Sequence, residues 1–367
     1  MKESFDIAVV GAGLSGSTFA RLFAEAGRRV LVVDARTTVG GNTADGPDEH
    51  GIWVHFYGPH LFHTNSERVW RFLERFTTWR PYTHRVMARQ GDRLVPFPIN
   101  RQTLIALYGE EAVKDGVDAF LSAVRVPIDR PKNAEEQVLA RVGRDLYRRF
   151  FLPYTTKQWG RDPKDLAPSV TARIPVRLDD EDRYFTDRFQ GLPQDGYSTM
   201  VRRILDHPQI RLVLGRTWAE VAPTVSWRRL LYTGPIDHYF EGALGALPYR
   251  SLRWIWTHVP EDRVQPVATV NDPLHPTITR TTEFTHLSGQ TGLGSTLVSE
   301  VPTAEGEPYY PVPAPDAAAL YARYEAAARA LPDVRFFGRL GRYRYYNMDQ
   351  VVAEALEAFP RLRREGW

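Results

Sequence analysis

The sequence predicts a mixed α/β fold in which an α/β domain, discontinuous along the chain, carries an inserted helical domain and an antiparallel β-sheet domain. Three observations support this prediction. An apolar strand pattern runs directly into a helical pattern at the start of the chain, helical periodicity dominates residues 100–182, and short β-branched or aromatic runs fill residues 252–301. The expected segments are 1–78, 187–230 and 311–367 for the α/β domain, 99–182 for the helical domain, and 79–98 and 231–310 for the sheet domain.

The first strand and helix flank a glycine-rich turn. Phe5–Val10 has a strand pattern, and Leu14–Ala26 has apolar residues at helical spacing. In the turn between them, Gly11 permits a tight bend, Gly13 lets the backbone approach a pyrophosphate, and Gly16 lets the helix pack on the strand. The amides of Leu14 and Ser15 at the helix N-terminus can bind the anion. This pattern predicts a Rossmann-type dinucleotide site.

The next segment distinguishes between two dinucleotides. A second strand, Arg29–Val33, ends at Asp34 and Ala35, and a carboxylate about 20 residues past the glycines can accept hydrogen bonds from a ribose diol. Gly40-Gly41-Asn42 follows shortly afterwards and resembles the second phosphate-contacting turn of glutathione-reductase-type flavoproteins. The spacing therefore favours FAD over NAD.

Capping signals place the following elements. Thr64-Asn65-Ser66-Glu67 is a capping-box pattern that predicts a helix start, and Arg85–Phe97 alternates like a hairpin around Gln90-Gly91-Asp92. Asn100 is expected to cap a helix that ends at Gly109, and Asn133 to start another. Helices therefore dominate the middle of the chain.

The second half of the chain returns to strands and then to helices. Four runs are expected to form an antiparallel sheet: Leu252–Val259, Val267–Val270, Thr277–Leu287 and Thr296–Val301. A helix over Ala317–Ala330, a strand at Val334–Phe337 and a final helix from about Met348 follow. The Gly338-Arg339 turn before that helix is either a second cofactor contact or a plain connection.

Composition excludes several function classes. The chain has 367 residues, a net charge of +3 and no cysteine, which rules out disulfide redox chemistry, thiolate zinc sites and iron–sulfur clusters. The histidines lack ligand spacing, so no metal is expected. Basic residues are scattered, and no apolar run could span a bilayer, so we expect neither a nucleic-acid nor a membrane partner and a cytoplasmic protein.

Three longer motifs identify a family. Gly58-Pro59-His60-Leu61-Phe62-His63-Thr64, the run from Phe151 to Gly160, and the run from Gly338 to Tyr345 closely resemble UDP-galactopyranose mutase of the bacterial type, over essentially the whole chain. The resemblance implies an isomerase that interconverts UDP-galactopyranose and UDP-galactofuranose on FAD, without net redox change and only when the flavin is reduced. It further implies that N5 of reduced FAD attacks the anomeric carbon while UDP leaves.

The resemblance also assigns residues. Arg173 and Arg280 would clamp the diphosphate as catalytic groups, since a guanidinium fork suits growing phosphate charge. His63, also assigned as catalytic, would lie beside the isoalloxazine with His60 and Leu61. Arg339 would contact the cofactor pyrophosphate and Met348 the flavin. The remaining substrate contacts it implies are Phe151, Tyr154, Thr155, Trp159, Tyr184, Asn271, Tyr310, Tyr345 and Asn347.

Some questions stay open at this stage. The family often has aspartate where this chain has Asn347, which puts any acid role there in doubt. Residues 159–177, broken by glycine and prolines, are expected to form a mobile lid that carries Arg173. The rival functions are an amine-oxidase-like FAD oxidoreductase and a non-catalytic nucleotide-sugar binding protein, because fold alone does not separate them. A homodimer or higher homo-oligomer is expected from the resemblance.

Overall fold

The computed structural model describes residues 2–367, and its regular elements are as follows. The strands are β1 Glu3–Val10, β2 Val30–Asp34, β3 Asp45–Pro47, β4 Trp53–His55, β5 Phe62–Thr64, β6 Trp79–Pro81, β7 Val86–Gln90, β8 Arg93–Phe97, β9 Phe189–Pro193, β10 Ile210–Leu214, β11 Val225–Tyr232, β12 Tyr249–Val259, β13 Thr269–Asn271, β14 Arg280–Glu283, β15 Ser295–Thr303, β16 Tyr310–Pro311 and β17 Val334–Phe336. The α-helices are α1 Leu14–Glu25, α2 Glu67–Leu73, α3 Arg101–Tyr108, α4 Val117–Val124, α5 Ala134–Leu146, α6 Leu152–Trp159, α7 Ser169–Ala172, α8 Tyr197–Leu205, α9 Trp218–Val221, α10 Ile236–Tyr239, α11 Phe284–Ser288, α12 Pro315–Arg329, α13 Gly338–Gly341 and α14 Met348–Arg364.

A parallel sheet of five strands forms the base of the molecule. Its order is β10-β2-β1-β11-β17, so it joins strands from widely separated parts of the chain. Helices α1, α8 and α14 bury their apolar sides in one core with the sheet, including Phe19, Met200 and Val352. Because all five strands are parallel, their carboxyl ends meet at one edge, where α/β proteins bind ligands.

A second sheet has seven strands in the order β16-β12-β15-β14-β13-β7-β8. Most of its pairs are antiparallel, as expected, but β13 pairs with β7 in parallel, which the sequence analysis did not foresee. The run Thr277–Leu287 was also wrong in part, because the strand ends at Glu283 and Phe284–Ser288 is helical. The side chains of Phe284 and Leu287 are buried in the core of the parallel-sheet domain.

The helical layer covers one end of the second sheet. The side chain of Asn100 accepts a hydrogen bond from Thr103 N at 2.9 Å, and that of Asn133 accepts from Glu136 N at 2.9 Å, which confirms both predicted caps. Val138 and Val142 of α5 pack with Val86 and Phe97 in one apolar cluster. This packing fixes the helices against β7 and β8.

Two small sheets connect these layers. β9 lies between β5 and β6, which brings residues 62–64 beside residues 189–193. The expected capping box at 64–67 is wrong in register: Ser66, not Thr64, caps α2, and Thr64 instead bonds to Asp349 of α14. β6 belongs to the expected sheet domain and β9 to the expected α/β domain, yet the two strands pair with each other. The expected domain bounds therefore stay a prediction.

Across residues 2–367, none of the helices has the length and apolar character needed to cross a bilayer.

Candidate active site

One cavity of about 750 Å³ begins at the carboxyl edge of the parallel sheet and extends to the helical layer. All but two of the site residues expected from the sequence line it. The exceptions are Gly16, which lies beneath the turn, and Trp159, whose buried ring packs edge-on against Tyr310 and Tyr345. The structure therefore brings together residues from every expected motif, while their individual roles stay predictions.

The first end of the cavity is built from backbone. Gly11 has φ +105°, which side chains rarely adopt, and a Cβ on Gly16 would lie 2.0 Å from the Gly11 carbonyl oxygen. Gly13 caps α1 without a side-chain acceptor, so the first amides of the helix stay open toward the cavity. Gly40 and Gly41 pack directly against Gly13. The two glycine turns thus form one cradle suited to a pyrophosphate.

The acidic residue beside this cradle is held in place. The carboxylate of Asp34 accepts a hydrogen bond from Ala12 N at 2.7 Å and another from Arg36 N at 2.9 Å. Because each oxygen retains a lone pair, the fixed carboxylate can also accept from a ribose hydroxyl. This is the geometry expected for an adenosine without a 2′-phosphate.

Sequence reasoning missed several residues at this end. Thr217 and Trp218 follow β10, and Thr233, Gly234 and Pro235 follow β11; all of them line the cavity. The sequence signal was weak, since β11 contains two arginines and β10 buries none of its side chains, and only the pairing in a parallel sheet brings their carboxyl ends to this edge. Arg36, Tyr57 and Glu307 were missed as well: Arg36 pairs with Glu307 and lies 4.0 Å over the Tyr57 ring.

Unpartnered polar atoms point to a bound group. Among residues 2–367, Ser15 Oγ and two guanidinium nitrogens of Arg339, Nε and Nη2, are buried without a hydrogen-bond partner. Burial lowers the pKa of Arg339 below its ordinary value. A buried cation with idle donors is costly unless an anion neutralises it. With the glycine cradle and Asp34, these atoms fit the phosphates and ribose of FAD.

The far end of the cavity is built from arginine and tyrosine side chains. The guanidinium carbons of Arg173 and Arg339 lie 4.1 and 4.4 Å from the centre of the Tyr345 ring. Arg280 is held from behind, because its Nε lies 2.8 Å from Oε1 of the buried Glu300. Burial alone would raise the pKa of Tyr345, but the three guanidinium groups bring it below its ordinary value. This end therefore attracts anions.

Four histidines line the cavity: His60, His63, His84 and His238. His60 Nδ1 donates to Gly58 O at 2.8 Å, and burial lowers the pKa of His60 to about 3, so its ring is neutral. His63 Nδ1 lies 2.9 Å from Asp187 Oδ2, and its ring stacks on Phe185. Sequence reasoning missed His84, a buried neighbour whose pKa is lowered to about 3 by burial and by Arg280. It stands directly before β7, where the strand pattern alone gave no signal.

Asn347 stands at the start of α14 and lines the cavity. Its backbone amide donates to Gln350 Oε1 at 2.8 Å, which fixes the first turn of the helix. An amide side chain at this position adds no charge to the site. Where an aspartate would place a negative charge, Asn347 therefore leaves the site without one.

A backbone cradle for a dinucleotide, joined to an arginine-rich cavity for a second anion, defines a flavoprotein of the FAD-binding α/β class. A family model described as UDP-galactopyranose mutase matches residues 149–345, and one described as an NAD(P)-binding Rossmann-like domain matches residues 9–76. The chain is 37% identical to dTDP-fucopyranose mutase of Escherichia coli over 96% of both chains. It is 36% identical to a probable UDP-galactopyranose mutase of Klebsiella pneumoniae, over 96% of this chain and 93% of the relative.

A solved structure of reduced UDP-galactopyranose mutase matches the fold with a TM-score of 0.80 at 18% identity, over 98% of this chain and 95% of that one. The chain belongs to the UDP-galactopyranose mutase family. These comparisons confirm the mixed α/β fold and the family that the three motifs predicted. The protein is an FAD-dependent isomerase of that family.

Proposed function

We propose that this isomerase interconverts the pyranose and furanose forms of UDP-galactose. The observation that supports this best is the pair Arg173 and Arg280 at the far end of the FAD cavity, with Arg339 left for the cofactor. Two guanidinium groups beyond the cofactor's own are what a second diphosphate requires. Family membership then names the sugar nucleotide that such a site takes.

The arginines would act mainly on the leaving group. Negative charge on the diphosphate grows as the bond to the anomeric carbon breaks, so both guanidinium groups interact more strongly in the transition state than with the substrate. Glu300 keeps the Arg280 fork oriented, and the pKa of Arg280 lies well above its ordinary value although burial alone would lower it. Arg280 therefore stays charged at every working pH.

Aromatic side chains would hold the rest of the nucleotide sugar. Tyr154 lines the cavity beside the buried Phe151 and offers its ring to the base, while Tyr184, Tyr310 and Tyr345 offer hydroxyl groups. Reduced FAD, when bound, supplies the electron pair that attacks the anomeric carbon. His63, oriented by Asp187, stands on the cavity wall where it can hydrogen-bond to the sugar or the flavin.

The lid stays a prediction, but packing narrows its extent. Leu166 and Val170 are buried, and Ala167 N donates to Pro313 O at 2.8 Å, so the first half of residues 159–177 is anchored. Arg173 itself is exposed and touches Tyr345 across the cavity. The second half is held as well, since Arg141 donates to Ile174 O and Arg177 N donates to Ile99 O, both at 2.8 Å. We propose that closure, which would exclude water from the reacting sugar, moves residues 173–177 and breaks these two hydrogen bonds.

The relative from Escherichia coli supports a second candidate substrate. It is named for dTDP-fucopyranose and is as similar to this chain as the UDP-galactopyranose relative. A thymine adds one methyl group at the base end, where Val86, Ala88 and Phe97 provide an apolar wall. A furanose–pyranose interconversion of a dTDP-6-deoxysugar is therefore the alternative.

The test is an assay of FAD-loaded protein with each sugar nucleotide, before and after dithionite reduction, with pyranose and furanose separated by chromatography. We expect UDP-galactofuranose to convert only with reduced protein and without consumption of reductant. Faster conversion of dTDP-fucofuranose would assign the alternative substrate. Turnover that consumes one reductant per product would instead indicate an oxidoreductase, and binding without turnover a binding protein. Cytoplasmic location and a homo-oligomeric state stay predictions.

A further inference from the structure

Lys157 makes an unusual set of contacts behind the nucleotide end of the cavity. It lies on α6, and its ammonium Nζ is 2.9 Å from Asp272 O, 3.1 Å from Pro273 O and 2.5 Å from His275 O. An ammonium has three donors, and here each meets a backbone carbonyl. The side chain is partly buried, so these hydrogen bonds are shielded from water.

The two segments that Lys157 joins both carry site residues. On one side, α6 presents Tyr154 and Thr155 to the cavity. On the other, the loop containing Asp272 and His275 follows directly from Asn271, whose partner in the neighbouring strand is Arg280. The three hydrogen bonds therefore connect the wall that faces the base with the strand pair that carries one arm of the clamp.

Each segment is also fastened separately to its surroundings. Arg250 of β12 donates to Gln158 O at 3.0 Å and so fixes the end of α6 to the second sheet. Asp272 Oδ1 accepts from His275 N at 3.0 Å, and Asp272 pairs with Arg89 at 3.3 Å, so the loop holds its own shape. Among residues 2–367, only the hydrogen bonds of Lys157 join α6 directly to this loop.

We propose that Lys157 is a positioning residue, which sets the spacing between the base-facing helix and the strand pair that carries Asn271 and Arg280. The inference rests on the proposed nucleotide-sugar function of the cavity. A compact ammonium suits three converging carbonyls, whereas a planar guanidinium does not. Burial lowers the pKa of this lysine to about 8 against the raising effect of Asp272, so the ammonium form predominates at neutral pH.

The test compares three variants by calorimetric titration with UDP. Lys157→Met keeps the stem and removes the donors, Asp272→Ala loosens the loop from its own side, and Lys114→Met removes an exposed lysine of the helical domain. The lost hydrogen bonds do not contact UDP, so only part of their free energy should appear in UDP binding. We expect UDP affinity to fall about tenfold in the first two variants. FAD content should change less than about threefold, since the glycine cradle is untouched, whereas kcat should fall as well, because the strand pair carries Arg280 of the clamp.

Lys157→Met and Asp272→Ala should be non-additive, because both release the same spacing. Lys114→Met should bind UDP like the wild type. If the wild type binds UDP and Lys157→Met binds it equally well, with FAD retained, the positioning role is wrong. Additive losses in the double variant would also overturn it. If the wild type itself does not bind UDP, the proposed function fails first, so the two failures are distinguishable. Should Lys157→Met misfold, Asp272→Ala alone decides by the same criterion.

Discussion

The two ends of the cavity recognise their ligands by different means. The centre of the cofactor end is made from two glycine turns that lie close together in the chain, between Gly11 and Asn42. The far end is made from side chains on widely separated segments, among them Arg173, Arg280 and Tyr345. Backbone cradles tolerate little change at their glycines, whereas a side-chain site loses function one contact at a time. We therefore expect the largest effect of a single substitution at a glycine of the cradle.

The largest expected effect is at the cradle. Gly16→Ala places a methyl group 2.0 Å from the Gly11 carbonyl oxygen, so helix and turn must separate. We expect a loss of unfolding free energy of about 3 kcal/mol and protein isolated without flavin, measured by denaturation and by the flavin-to-protein absorbance ratio. Gly27→Ala is the matched control: its Cβ meets open space, and its positive φ should cost about 1 kcal/mol with FAD retained. Normal flavin content in Gly16→Ala would refute the cradle.

The clamp should show a large kinetic effect with an intact cofactor. Arg173→Ala removes an exposed guanidinium group, so the fold and FAD binding should be kept. Because this group would stabilise the departing diphosphate, we expect kcat to fall about 100-fold or more. Arg280→Lys keeps a positive charge beside Glu300, so the free energy of unfolding should change little, whereas kcat should fall because the guanidinium fork is lost. Arg101→Ala, at a partly exposed arginine of the helical domain, serves as the control for charge removal. Unchanged rates in Arg173→Ala would remove it from the mechanism.

Sequence reasoning recovered the cradle more fully than the far end, for physical reasons. Each glycine of the cradle has a local steric task that its neighbours reveal, so Gly11, Gly13 and Asp34 could be assigned from spacing. The far end required a family resemblance, because nothing local marks Arg173 or Arg280 as different from surface arginines. Lys157 could not be found at all, since its acceptors lie 115 to 118 residues away and are backbone atoms.

The same distinction explains the errors in the fold. Helix caps at Asn100 and Asn133 are local and were predicted correctly. The parallel pairing of β13 with β7 and the helix at Phe284–Ser288 depend on contacts between distant segments. Such contacts override local strand propensity, because that propensity depends largely on how a side chain packs against its neighbours.

A smaller effect should appear with pH. The pKa of Lys157 is lowered to about 8 from 10.5, so its third donor is lost as pH rises through 8. The charged and titratable groups around it are Asp272, Arg89, Arg250 and His275. UDP affinity of the wild type should therefore fall several-fold between about pH 7 and 9.5, whereas Lys157→Met should stay flat over that range.

Stability should change in the opposite sense. Between 8 and 10.5 the unfolded chain binds more protons at this lysine than the folded protein, so its contribution to the unfolding free energy rises with pH. With Lys157→Met as the reference, UDP binding by the wild type should weaken as pH rises while the contribution of Lys157 to the free energy of unfolding does not fall. This combination would indicate local loosening of the site and not general unfolding. An equal pH dependence of UDP affinity in both proteins would assign it to another group.

The smallest expected effect is at a side-chain ion pair beside the cofactor end of the cavity. Arg36 pairs with Glu307, which reaches over from the second sheet, and both line the cavity beside Asp34. Glu307 is exposed, so the pair is worth at most about 1 kcal/mol. Glu307→Gln should therefore speed FAD dissociation by about fivefold or less at low salt, followed by flavin fluorescence on dilution, and the difference from the wild type should vanish at high salt. A loss of flavin as complete as that expected for Gly16→Ala would mean that side chains, and not the glycine turns, retain the cofactor.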